Sequence, residues 1–150
     1  MSRPSRLLFI NGSPAEIDLW DAALHARQWN EVIEEAMSGH RAMDLMQRRI
    51  HRDDAPDIVL LEYGMRGTSC LSILQSIRAM AYYANVPIYI LSDLRIPEPI
   101  RREFQNYGVM TILAKPTDFA GFSKQIDILR TTLEDYGCIS SSGSWVASQL

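Results

Sequence analysis

Short apolar runs alternate along the chain with segments whose apolar residues recur every three or four positions. Residues 6–10, Arg-Leu-Leu-Phe-Ile, read as a strand stopped by the turn formers Asn11, Gly12, Ser13 and Pro14. Ser13 suits a helix N-cap, with Pro14 at the first helical position and Glu16 at the third. That capping box opens a helix over residues 15–28 with Ile17, Trp20 and Leu24 on one face. Residues 31–36 form a less regular strand, and Ser38-Gly39 begins a helix carrying Met43, Met46 and Ile50. Residues 58–61, Ile-Val-Leu-Leu, are apolar without alternation, as in a central strand covered on both faces. Leu71, Leu74, Ile77 and Ala81 line the next helix, and residues 87–91 form the fourth strand. Ile100, Phe104 and Tyr107 mark a helix ended by Gly108, and residues 109–113 form the fifth strand. Phe119, Phe122, Ile126, Leu129 and Leu133 stripe the last helix. Five strand–helix units in this order predict an α/β domain with a parallel sheet and helices on both faces. The domain spans residues 5–135; residues 136–150, rich in Ser and containing Trp145, read as a flexible tail.

Composition narrows the picture. A chain of 150 residues, 47% hydrophobic, builds one core without a disulfide or metal staple. Net charge is −3, and the small basic clusters Arg48-Arg49-Arg52 and Arg101-Arg102 read as solvated helix faces rather than a phosphate-tracking stripe. Nucleic acid is therefore not expected as a partner. Cys70 and Cys138 have no companion at metal-ligand spacing, so neither a zinc site nor a disulfide framework is expected. No apolar run reaches signal-peptide or membrane-spanning length, which predicts a cytoplasmic protein without membrane contact.

In an open parallel sheet, ligands sit beyond the carboxyl ends of the strands, where strand order reverses. Asn11-Gly12, Glu62, Ser92 and Lys115 follow or end the first, third, fourth and fifth strands, so an acid, a hydroxyl and an ammonium converge there. Asp53, Asp54 and Asp57 fall at the opposite end and read as solvated loop residues. His25, His40 and His51 read as surface residues, and Met37, Met43, Met46 and Met80 as core filler.

The stretch from Pro56 through Glu62 to Gly67 resembles the segment of response-regulator receiver domains, the CheY-like superfamily, in which a phosphorylatable Asp ends the third strand. Residues 88–92 are similar to the strand ending in that family's phosphate-sensing hydroxyl. Ala114-Lys115-Pro116 matches its Lys-Pro, whose peptide bond is typically cis. The likeness runs over about residues 5–135. It implies a flavodoxin-like fold with strand order 2-1-3-4-5. It also implies a role in phosphorelay signalling and Ser92, Lys115 and Pro116 as phosphate-sensing positions.

The departures decide what the resemblance implies for chemistry. Receiver phosphorylation needs Mg²⁺, an ion held by carboxylate oxygens. The family's acidic pair is degenerate here, reading Asn11 and Gly12, and the acceptor position reads Glu62, one methylene longer than Asp. In-line attack tolerates little misplacement, about 1 Å costing ~100-fold. Arg66 and Cys70 stand where Pro and Gly are favoured, and the switch position, usually aromatic, is Ile112. Glu62 and Lys115 balance one another with no ion bound, so a direct ion pair is expected, with Ser92 or Asn11 completing its hydrogen bonds. The expectation is an atypical receiver that acts as a phosphorylation-independent interaction module: no enzyme, no cofactor, no metal. The alternatives are a still phospho-accepting single-domain regulator and, from another class, a flavodoxin-like small-ligand binder. The latter is disfavoured because Asn-Gly-Ser-Pro-Ala-Glu makes a poor anion cradle. By resemblance the contact face is built from the fourth helix, fifth strand and fifth helix, with Arg101, Arg102, Tyr107, Lys124 and Asp127. Its expected partner is a signalling protein, a histidine kinase or another regulator, or a second copy of the chain.

Overall fold

A computed structural model describes residues 4–10, 13–28, 31–64 and 69–136. The strands are β1 (Ser5–Ile10), β2 (Glu31–Ala36), β3 (Ile58–Glu62), β4 (Ile88–Ser92) and β5 (Thr111–Ala114). Between and after them lie α1 (Pro14–Ala26), α2 (Gly39–Arg48), α3 (Cys70–Ala79), α4 (Glu98–Asn106) and α5 (Phe119–Asp135). All pairings are parallel, in the order β2-β1-β3-β4-β5. This is the flavodoxin-like receiver fold.

The unbroken apolar strands are explained by two cores, one on each face of the sheet. Leu8 and Ile10 of β1, Val59 and Leu61 of β3, and Ile88 and Ile90 of β4 pack with Met46, Ile73, Leu74, Ile77 and Phe104. Their neighbours Leu7, Phe9, Ile58, Leu60, Tyr89 and Leu91 face the other way, onto Trp20, Leu24, Phe122, Ile126 and Leu129. Period-two alternation thus divides each strand between two helical layers. Trp20 anchors the second layer, edge-on to Phe9 and Phe122 at 6.3 and 5.3 Å between ring centroids.

Helix starts follow the sequence chemistry. Ser13, Ser38, Ser69 and Asp118 each accept an N–H from the first turn of α1, α2, α3 and α5. Gly108, at φ +73°, stops α4 in a Schellman arrangement. Its N–H donates to the Gln105 carbonyl and that of Val109 to the Phe104 carbonyl.

Several expectations need correction. The third helix ends at Ala79, and Ala81 lies in a short 3₁₀ turn, Ala81–Tyr83. That turn is held by the Tyr83 hydroxyl donating to the Met46 carbonyl at 2.6 Å. The fifth strand begins at Thr111, and α1 ends at Ala26. Met37 is exposed rather than core. Arg49 is not a freely solvated charge, because it grips Glu34 with both terminal nitrogens and also reaches Asp54. Asp57 is buried, and its Oδ2 accepts the Arg6 N–H at 2.8 Å, extending β1–β3 pairing with a side chain.

Candidate functional site

The reversal of strand order between β1 and β3 opens the crevice at their carboxyl ends. Glu62 closes β3 there, its neighbour Tyr63 donating to the Leu91 carbonyl at 2.8 Å. Lys115 follows β5 directly, and its N–H donates to the Ser92 carbonyl at 3.1 Å. Sheet hydrogen bonding therefore aims both side chains into one place, and the Lys115 ammonium pairs with the Glu62 carboxylate. The expected contact forms.

A third residue joins them. Glu16, in the first turn of α1, lies 3.1 Å from the Lys115 ammonium through Oε1. The side chains of Glu16, Glu62 and Lys115 are 24%, 14% and 21% exposed, so water screens the cluster only in part. The sequence marked Glu16 as a capping residue, and its backbone N–H does bond to the Ser13 hydroxyl at 3.2 Å. What the sequence reading missed is that α1 enters close enough to β5 for the same side chain to reach across. The expected neutrality is thereby corrected: two carboxylates share one ammonium. Burial raises the Glu62 carboxyl above its ordinary range against the pull of Lys115, and Glu16 and Asp93 raise it further. Burial lowers Lys115, but Glu62 and Glu16 together carry it above its usual value.

The remaining expected partners do otherwise. Ser92 turns back on its own loop, donating to the Leu94 carbonyl at 2.7 Å and accepting the Leu94 N–H at 2.9 Å. It does not complete the ion pair. The Lys115–Pro116 peptide is trans, the form an X-Pro bond favours by about 0.5–1 kcal/mol. Pro116 packs beside Gly121, where an added Cβ would come within 3.3 Å of the proline ring. Asn11, Gly12, Arg66, Gly67, Cys138 and the Trp145 segment lie outside the described residues. Cys70 is buried with its Sγ 3.5 Å from the Glu62 carbonyl oxygen, and burial pushes its thiol up to about 12.

The described side chains at this crevice are a poor set of donors for the divalent ion that receiver chemistry calls for. An ammonium already stands between the Glu16 and Glu62 carboxylates, and among the described residues no three acids, histidines or cysteines gather at metal distance.

On the other flank, Arg101, Phe104, Met110 and Ile112 help line a cavity of about 170 Å³ between α4 and β5. Ile112 is half-buried against the core. Arg101 and Lys124 are exposed. Arg102 pairs within α4 to Glu98 at 3.4 Å, and Tyr107 lies half-buried against the core. Asp127 pairs at 2.8 Å with Arg27, the C-cap residue of α1, which ties it to the α1–α5 seam.

The family model for the response regulator receiver domain matches residues 7–127. No curated protein matched the chain in sequence. Among solved structures, the phosphorylated cyanobacterial phytochrome response regulator RcpA is similar at TM-score 0.70 and 17% identity, over 88% of this chain and 93% of that one. Vibrio cholerae chemotaxis protein CheY4 gives 0.68 and 18%, over 84% and 98%. The Mn²⁺-bound form of response regulator Rcp1 gives 0.69 and 17%, over 98% and 100%. Receiver domains are signalling modules that interact with kinases and other signalling proteins. Among the described residues no helix is long and apolar enough to cross a membrane. With five parallel strands in receiver order and the family model spanning most of its length, the chain belongs to the response-regulator receiver domains of two-component signalling.

Proposed function

We propose that this receiver domain is a phosphorylation-independent protein-interaction module. The observation that carries the reading is the Lys115 ammonium engaged by a glutamate at the acceptor position. A phosphoryl group adds about −1.5 to −2 charges. It would enter a crevice that already holds two carboxylates to one ammonium, in a sequence that reads Asn11 and Gly12 where the family carries its acidic pair. Glu62 thus stands in for the acceptor as a fixed ligand of Lys115, and the domain keeps one state.

Output passes through the flank built from α4, β5 and α5. There Arg101 and Lys124 are exposed, and Met110 and Tyr136 add apolar surface. A signalling partner, a histidine kinase or another regulator, or a second copy of the chain docks on that flank in the cytoplasm. The α4–β5 cavity, about 170 Å³, falls below the ~300 Å³ at which small-molecule sites usually begin, which favours a protein partner.

Amide NMR spectra with and without Mg²⁺ and a small phosphodonor test the single-state reading. Unchanged resonances for Ser92, Ile112 and Lys115 are expected. A new set of peaks at those three residues would overturn it.

A further inference from the structure

The α4–β5 cavity lies where α5 ends. Of its lining residues Phe104 is buried, Val109 and Ile112 are half-buried, and Met110 and Arg101 are exposed. Arg102 pairs with Glu98, but Arg101 has no ion-pair partner among the described residues. At about 170 Å³ the cavity has room for one large side chain. A guanidinium and a thioether beside apolar carbon favour an aromatic ring, through cation–π attraction and sulfur–ring contact. Tryptophan is the strongest cation–π ring. Tyr136, the C-cap of α5, reaches the same place, its hydroxyl donating to the Met110 sulfur at 3.2 Å. Residues 137–150 continue from there and carry no charged side chain. Trp145 is their one aromatic residue, nine positions past Tyr136, a tether of at most about 30 Å. So short a tether gives an effective concentration on the order of millimolar, at which even a weak anchor stays seated.

We propose that the α4–β5 cavity is the seat of Trp145, from this chain's own C-terminal segment. Ile139 and Val146 are the apolar neighbours in that segment, and neither has a ring to offer Arg101 and Met110. Docked there, the segment covers part of the flank proposed for output, so a partner must displace it or bind around it. The docking goes beyond the phosphorylation-independent reading and does not depend on it.

NMR of the full chain, with methyl groups and tryptophan rings labelled, tests this. Nuclear Overhauser contacts are expected from the Trp145 indole to the Met110 and Ile112 methyl groups, equally strong after dilution. Trp145→Ala should shift both methyl resonances. Ile139→Ala should leave the indole contacts in place, and Arg101→Glu should weaken them. Absence of the indole contacts in the native chain overturns the proposal, and so do methyl resonances that Trp145→Ala leaves unmoved. Contacts that fade on dilution overturn it as well, because they put the segment of a second copy in the cavity. The native contacts need no substitution, so they decide the matter whatever a variant does to folding.

Discussion

The Arg78 guanidinium donates from Nε to the Tyr107 backbone carbonyl at 2.7 Å, tying the end of α3 to the end of α4. The same side chain donates to the carbonyls of Val86 at 2.8 Å, Tyr83 at 3.0 Å and Gly108 at 3.3 Å. One arginine thus donates to carbonyls on both sides of the α3–α4 junction, sharing that of Tyr83 with the Val86 N–H, and burial lowers its pKa. Lys cannot reproduce a planar fork. Arg78→Lys and Arg78→Ala should both destabilise, the alanine by roughly 2–4 kcal/mol because several carbonyls lose their donor. Urea denaturation measures the loss, and near-native stability of Arg78→Ala would contradict the assignment.

Glu34 and Arg49 join β2 to the end of α2. The Arg49 guanidinium holds the Glu34 carboxyl below its usual range, burial opposing, and Arg6 assists. A depressed carboxylate stabilises above its unfolded pKa, and that contribution fades as pH falls through the folded value. Glu34→Gln should therefore cost about 1 kcal/mol at neutral pH. The gap between native and variant should close on acidification below the ordinary carboxylate range. A gap that persists at low pH would assign the effect to packing.

Glu31, at the start of the same strand, shows the reverse. Burial, reinforced by Asp57 and opposed by Ser5 and Arg130, raises its carboxyl from 4.5 to about 8. Between those values the folded chain keeps a proton that the unfolded chain has lost, so this group's contribution falls with rising pH and levels off above the upper value. Glu31→Gln should flatten that slope and unfold at a higher temperature than the native chain above pH 8. Parallel melting curves across that range would refute the assignment.

Cys70 should be chemically silent in the folded protein. Its thiol is buried and its ionisation pushed up to about 12, which denies the thiolate that alkylation needs. Peptide mapping after brief iodoacetamide treatment should find Cys70 unmodified until denaturant is added. Rapid native labelling would place it at the surface.

The two-sided core was legible because β1, β3 and β4 are apolar at consecutive positions, a pattern that covered parallel strands produce, whereas the strand order was legible only through the resemblance to receiver domains. Glu62 and Lys115 were legible because one ends β3 and the other follows β5, and strand ends converge in this fold. Glu16 was hidden because its local role in the first turn of α1 explained it fully, and nothing along the chain measures how near α1 stands to β5. Arg78 was hidden for a related reason. A basic residue in a helix's last turn looks solvated until the carbonyls of the surrounding loops are known. The fate of Ser92 turned on a competition within two residues, which its own loop won.

Glu62, bound to Lys115, is proposed to accept no phosphoryl group. Intact-mass measurement after incubation with a small phosphodonor and Mg²⁺ decides the matter, and the mass should stay unchanged. An adduct of one phosphoryl group that peptide mapping places on Glu62 would overturn the proposal.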